Sequence, residues 1–117
     1  MIKVGYFIKA SGDAPFAKWR GTLDAVTLAR VMVSVFRLEA GNFSVAKSLS
    51  GGLFELRLDF GPGYRVYFGR DGDELVILLG GGSKRTQQRD IDEARILWRE
   101  YKQTKGKRLN YVEHTTL

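Results

Sequence analysis

No cysteine occurs among the 117 residues, which excludes a disulfide framework, thiolate metal sites and a cysteine nucleophile. Histidine occurs once, as His114, too few for a histidine-based metal site or a Ser-His-Asp triad. Long apolar runs are missing too. The longest, Val31–Phe36, spans six residues and contains Ser34, far short of a bilayer crossing. The N-terminal Met1–Lys9 is too short and too charged for the apolar part of a signal peptide, so the chain is expected in the cytoplasm. Acidic residues are outnumbered, 13 against 19 Lys and Arg, leaving a net charge of +6. That balance favours a polyanionic partner, most often nucleic acid. The length suits one domain, expected over residues 1–104, with 105–117 as a basic and polar tail.

What is present alternates between strand and helix patterns. Ile2–Lys9 is β-branched and aromatic and runs into the turn residues Ser11-Gly12-Asp13, which predicts a first strand. Asp13 can cap a short helix over Ala14–Arg20, with Pro15 in its first turn. Thr22 or Asp24 opens a longer helix, Leu23–Ala40, ended by Gly41-Asn42. This helix carries two apolar stripes: Leu28, Met32, Val35 and Leu38 on one face, and Val26, Ala29, Val33 and Phe36 on another. A surface helix of a small domain needs only one. Deep burial between the sheet and the first helix accounts for this, as does binding of another chain by part of the helix, and the two are not exclusive.

A loop holding Lys47 precedes the strand Leu53–Phe60, where Phe54, Leu56, Leu58 and Phe60 alternate with Glu55, Arg57 and Asp59. Tyr64–Gly69 is the return strand, Asp71-Gly72 a hairpin turn, and Glu74–Leu79 a strand apolar on both faces, hence central or covered on both sides. A helix follows from about Ser83 to Lys102, with Ile91, Ala94, Leu97, Trp98 and Tyr101 as its core stripe. The polar stretch after Thr104 carries no pattern that assigns an element.

Two registers follow from the turns. If Gly61–Gly63 is a three-residue hairpin loop, Arg57 faces Tyr67 and Asp59 faces Arg65. If Asp71-Gly72 is a type I′ turn, Tyr67 faces Val76 and Arg65 faces Leu78. Side chains alternate between faces, so Arg57, Arg65 and Tyr67 share one face, opposite a core of Phe54, Val66 and Ile77. Lys47 leads into this sheet and Lys84 leaves it, which places both at its rim. Forked guanidinium donors on a rigid sheet suit phosphate binding. The plainer alternative is a solvated ion pair of Arg65 with Asp59 or Glu55, worth less than about 1 kcal/mol.

A second basic signal lies further on. Nine basic and only four acidic residues fall between Lys84 and Arg108, consistent with a nucleic-acid footprint. Gly80-Gly81-Gly82-Ser83-Lys84 lacks the spacing of a phosphate-binding P-loop. Asp71, Asp73 and Glu74 surround a hairpin turn and read as a solvated turn. Trp19, Trp98 and Tyr101 read as core.

The runs Gly52-Leu53-Phe54-Glu55-Leu56-Arg57 and Phe60-Gly61-Pro62-Gly63-Tyr64-Arg65-Val66-Tyr67-Phe68 resemble a known family. So do Gly41-Asn42, Leu78-Leu79-Gly80-Gly81, Lys84, Gln87 and Asp90-Ile91 with Ala94. Together, from about Phe16 to Tyr101, they resemble the RelE/ParE superfamily of type II toxin–antitoxin toxins, closest to its HigB-like "addiction module killer protein" branch. The resemblance implies an α+β fold, β-α-α-β-β-β-α. In it an antiparallel meander carries two N-terminal helices on one face and leaves a concave basic site on the other. It implies cleavage of mRNA in the ribosomal A site through the substrate's own 2′-hydroxyl, without metal or cofactor. The implied partners are a cognate antitoxin, often a helix-turn-helix protein, with the ribosome and mRNA, and no membrane.

Carried over by position, the site is Lys47, Arg57, Arg65, Tyr67 and Lys84. Arg57 and Arg65 would hold the scissile phosphate and its transition-state charge. Lys47 or Lys84 would serve as general base on the 2′-hydroxyl, and Tyr67 would stack on a base or donate a proton. Some relatives use an acid near the C-terminal end, where this chain offers Tyr101, Tyr111 and His114. Two alternatives stand beside this reading. One is a ParE-like inhibitor of DNA gyrase, and the other an RNA-binding relative without catalysis.

Overall fold

A computed structural model describes residues 1–114. The protein is α+β, with a mixed six-stranded sheet and three α-helices. In chain order these are β1 (Lys3–Phe7), α1 (Pro15–Arg20), α2 (Ala25–Glu39), β2 (Ala46–Ser48), β3 (Leu53–Arg57), β4 (Arg65–Asp71), β5 (Leu75–Gly82), α3 (Gln87–Thr104) and β6 (Tyr111–Glu113). One turn of 3₁₀ helix, Lys84–Thr86, precedes α3. The strand order is β2-β3-β4-β5-β1-β6. All neighbours are antiparallel except β1 and β5, which run parallel.

The expected order of elements holds, with two additions. Ala46–Ser48, inside the expected loop, is an edge strand on β3. Tyr111–Glu113, beyond Thr104, is the opposite edge strand on β1. Both are three residues long, too short for a periodic pattern to show. Residues 115–117 of the expected tail lie outside the described residues. No helix among the described residues is long and apolar enough to cross a membrane.

Local caps behave as their chemistry dictates. Asp24 caps α2, its carboxylate accepting from the Thr27 amide at 2.7 Å. Hydrogen bonding from Thr27 holds the Asp24 carboxyl below its ordinary value. α1 has no side-chain cap; Ala14 occupies the position expected for Asp13, and Pro15 starts the helix.

The sheet is covered on both faces. α1 and α2 bury Phe16, Val31, Val35 and Leu38 against Val66, Phe68, Val76 and Leu78. On the other face, α3 buries Ala94, Leu97, Trp98 and Tyr101 against Leu53, Tyr67, Ile77 and Leu79. Glycine lets an indole from a helix on each face approach the sheet closely. A Cβ on Gly69 would lie 2.3 Å from the Trp98 ring, and one on Gly81 would lie 2.4 Å from the Trp19 ring. The Trp98 indole N–H also donates to the Gly51 carbonyl at 2.8 Å.

Both expected registers are corrected. Arg57 pairs with Arg65, and Glu55 pairs with Tyr67. The connection is longer than three residues, because the Leu58 amide donates to the Tyr64 carbonyl at 2.9 Å. Phe60 and Tyr64 pack against each other inside the loop, 5.4 Å apart. A shift of two residues preserves faces, so Glu55, Arg57, Arg65 and Tyr67 do share one. The second turn is Gly72-Asp73-Glu74, pairing Asp71 with Leu75 and Arg70 with Val76. Tyr67 therefore pairs with Gly80 and Arg65 with Gly82, across a bulge between Tyr67 and Phe68. Ile77 consequently lies with Tyr67 under α3, and Val76 and Leu78 take the face expected for it.

Candidate functional site

The site residues come from three neighbouring strands and the entry to α3. Lys47 stands directly across β2–β3 from Glu55, and Arg57 directly across β3–β4 from Arg65. Lys84 follows β5 by two residues and meets the β3–β4 turn, its amide donating to the Pro62 carbonyl at 3.2 Å. Gly63 sits between Lys84 and Arg65. With φ at 72°, its added Cβ would lie 3.1 Å from Arg65 Nη1 and 3.3 Å from Lys84 Cβ.

These residues differ sharply in exposure. Lys47, Arg57 and Lys84 are exposed, with the Arg57 side chain 63% accessible and paired to Asp59 at 3.3 Å. Arg65 is buried, its side chain 5% accessible. It donates to the Gly63 carbonyl at 2.6 Å and lies 3.8 Å from the Glu55 carboxylate, which is itself buried. The expected pair of open guanidiniums is thus one open and one sequestered. The expected solvated ion pair of Arg65 exists with Glu55, but away from solvent. Asp59 belongs to Arg57 instead.

Glu55 is the residue whose part the sequence pattern understates. It faces Arg65 and Tyr67, and Gln87 at the start of α3 donates to it at 2.9 Å. Its signal was a lone acid between Phe54 and Leu56, on the face that carries the arginines. Tyr67 is 1% exposed and packs under α3. No ring face is open to a base. Burial, with the Glu55 charge second, raises its hydroxyl above the ordinary phenol value, so it keeps its proton.

The expected C-terminal acids are elsewhere. Tyr101 is buried and donates to Asp71 at 2.7 Å, at the far end of β4, about 20 Å along the strand from Arg65. Tyr111 and His114 belong to the β6 edge, at the opposite side of the sheet from β2 and β3. Among the described residues, no three His, Asp or Glu side chains group so as to hold a metal ion.

The arrangement is a fixed sheet edge whose inner charges are paired and whose outer cations, Lys47, Arg57 and Lys84, face solvent. Arg85 and Arg89 extend the positive surface along the entry to α3. Exposed guanidinium and ammonium groups are chemically suited to pairing with phosphate oxygens.

Residues 18–102 match the family model of the phage-derived Gp49-like proteins (DUF891). The chain belongs to this family. It is a phage-derived, toxin-like family related to addiction-module killer proteins, and membership implies an antitoxin partner. An uncharacterized protein of Haemophilus influenzae is 49% identical over 72 residues, covering 62% of this chain and 73% of that protein. No solved structure matches the chain.

Proposed function

We propose that this protein is a RelE/ParE-type toxin of the HigB-like branch, acting in the cytoplasm as a ribosome-dependent mRNA endoribonuclease. The observation that carries the reading is the group of exposed cations Lys47, Arg57 and Lys84, carried by strands and a helix entry that pack around the buried Arg65–Glu55 ion pair. Membership of a toxin-like family supports it.

In this reading Arg57 grips the scissile phosphate and meets the charge that develops on its oxygens. One lysine takes the proton of the adjacent 2′-hydroxyl, and the 2′-oxygen attacks phosphorus. The bond to the 5′-oxygen breaks, and that oxygen leaves with a proton from the second lysine. The products are a 2′,3′-cyclic phosphate and a free 5′-hydroxyl. No residue of the chain is consumed and no metal or cofactor is required. Arg65 acts from behind, fixing Gly63 and with it the approach of Lys84. Tyr67 supports the floor of the site.

Primer extension on a defined mRNA, with and without ribosomes, tests the reading. Arg57→Ala is the informative variant, because it removes an exposed group and leaves the buried pair intact. Cuts at in-frame positions, present only with ribosomes and at least tenfold weaker in the variant, are expected. Growth arrest with intact mRNA would remove the nuclease reading, and gyrase supercoiling would then be assayed.

A further inference from the structure

The second apolar stripe of α2 faces outward. Val26, Val33 and Phe36 are exposed, while Val31, Met32, Val35 and Leu38 are buried. Beside Val33 runs a groove of about 340 Å³ between α2 and the end of β3. Its walls are Val33, Val45 and Phe60, and its charges are Arg30, Arg37 and Arg57, against the single carboxylate of Asp59. A second hollow of about 130 Å³ continues it past Arg37 and Val45 towards Asn42.

The spacing of these residues is regular. Arg30, Val33, Ser34 and Arg37 lie at i, i+3, i+4 and i+7 on α2, one stripe of the helix. The two arginines are therefore two turns apart, about 10 Å along the axis, with an aliphatic and a small residue between them. We propose that this groove receives an acidic amphipathic helix of the protein partner. Its aliphatic side chains would pack on Val33, Val45 and Phe60, and carboxylates about seven residues apart would pair with Arg30 and Arg37.

Charge and shape exclude the other occupants. A second copy of this chain carries the same positive groove and a net charge of +6, so two copies repel. RNA binds single-stranded grooves through open aromatic faces. The one ring here, Phe60, is already covered by the Arg30 guanidinium, 4.7 Å from its centroid. Aliphatic walls interleaved with guanidiniums match an amphipathic acidic helix.

Arg57 joins the groove to the cationic edge described above. A carboxylate reaching Arg57 withdraws it from phosphate, so docking also silences the site. That consequence rests on the nuclease reading; the docking itself does not.

The test titrates a synthetic acidic amphipathic helical peptide, with an aliphatic stripe flanked by glutamates about seven residues apart, into the full chain by calorimetry; a wild-type chain that fails to bind it overturns the proposal. Val33→Asp and Arg37→Glu are compared with wild type and with Arg99→Glu, an exposed site on α3. Both groove positions are exposed, and near-UV circular dichroism checks that the fold is retained. Each groove variant is expected to weaken binding at least tenfold, with Arg99→Glu within twofold of wild type. Ribosome-dependent cleavage without the peptide should be unchanged in both. Groove variants that bind as tightly as wild type would overturn the proposal. So would a tenfold loss of affinity for a 12-nucleotide RNA with peptide binding intact, which would give the groove to RNA. A wild-type chain that never cuts mRNA would remove the nuclease reading and leave the calorimetric result standing.

Discussion

Glu55 and Arg65 keep each other out of water. Both side chains are nearly inaccessible, so removing either one strands a charge in the interior. Glu55→Ala is expected to destabilise the protein by about 3 kcal/mol, read as a shift of the urea midpoint. Arg57→Ala, at an exposed pair, should cost within about 0.5 kcal/mol. The difference decides which arginine reports on function: loss of activity in Arg65→Ala would mix chemistry with folding, whereas Arg57→Ala does not. The positions of these residues were legible from strand alternation. Their burial was not, because it depends on α3, whose Gln87 reaches Glu55 across 32 residues of sequence.

At the level of elements, α3 is held by a few specific contacts. Trp98 lies flat over Gly69 and bonds Gly51, so Trp98→Ala should cost about 3–5 kcal/mol in thermal or urea unfolding. The end of α3 is tied to the β4–β5 turn by Asp71, which accepts from Tyr101 and Lys105, each at 2.7 Å. Burial alone would raise the Asp71 carboxyl; the bonds from Lys105 and Tyr101 outweigh it and hold the carboxyl below its ordinary value. A depressed carboxyl stabilises the fold above its unfolded value of 3.8 and loses that contribution as pH falls through the folded value. Asp71→Asn should therefore lower the urea midpoint at neutral pH and match wild type in strong acid. At the other edge, His114 is fully buried, 2.9 Å from Glu39. Burial, aided by the Arg20 charge, lowers the imidazole below its ordinary value. Below about pH 6.5 the unfolded chain then binds a proton that the folded chain refuses, and stability falls. Chemical denaturation between about pH 7 and about pH 5 should show this loss in wild type and a flatter profile in His114→Gln.

For the whole molecule, a net charge of +6, with Lys47, Arg57 and Lys84 among its exposed cations, makes association with polyanions salt-dependent. Binding of a fluorescein-labelled single-stranded RNA should weaken at least tenfold between about 50 mM and about 200 mM salt. Lys47→Ala and Lys84→Ala should each reduce the slope. An unchanged slope in both would place the RNA on another surface, with the basic face of α3 as the next one to examine. The sheet places the two proposed functions side by side, the phosphate site on one flank of Arg57 and the partner groove on the other.

By itself the sequence determined the succession of elements, a polar cap at Thr22 or Asp24, the two apolar faces of β5 and the shared face of Arg57, Arg65 and Tyr67. Each follows from neighbours in the chain: a cap bond across three residues, or an alternation of period two or 3.6. Tertiary structure alone decided the hairpin registers, because a loop's length depends on how Phe60 and Tyr64 pack within it. It alone decided that Tyr67 and Arg65 are buried, since α3 folds back over strands that lie 30 and more residues away in sequence. It also recruited β2 and β6 at the sheet edges, where three residues suffice because the neighbouring strand supplies the hydrogen bonds. And it left the second stripe of α2 in solvent, since the sheet has room for only one face of that helix.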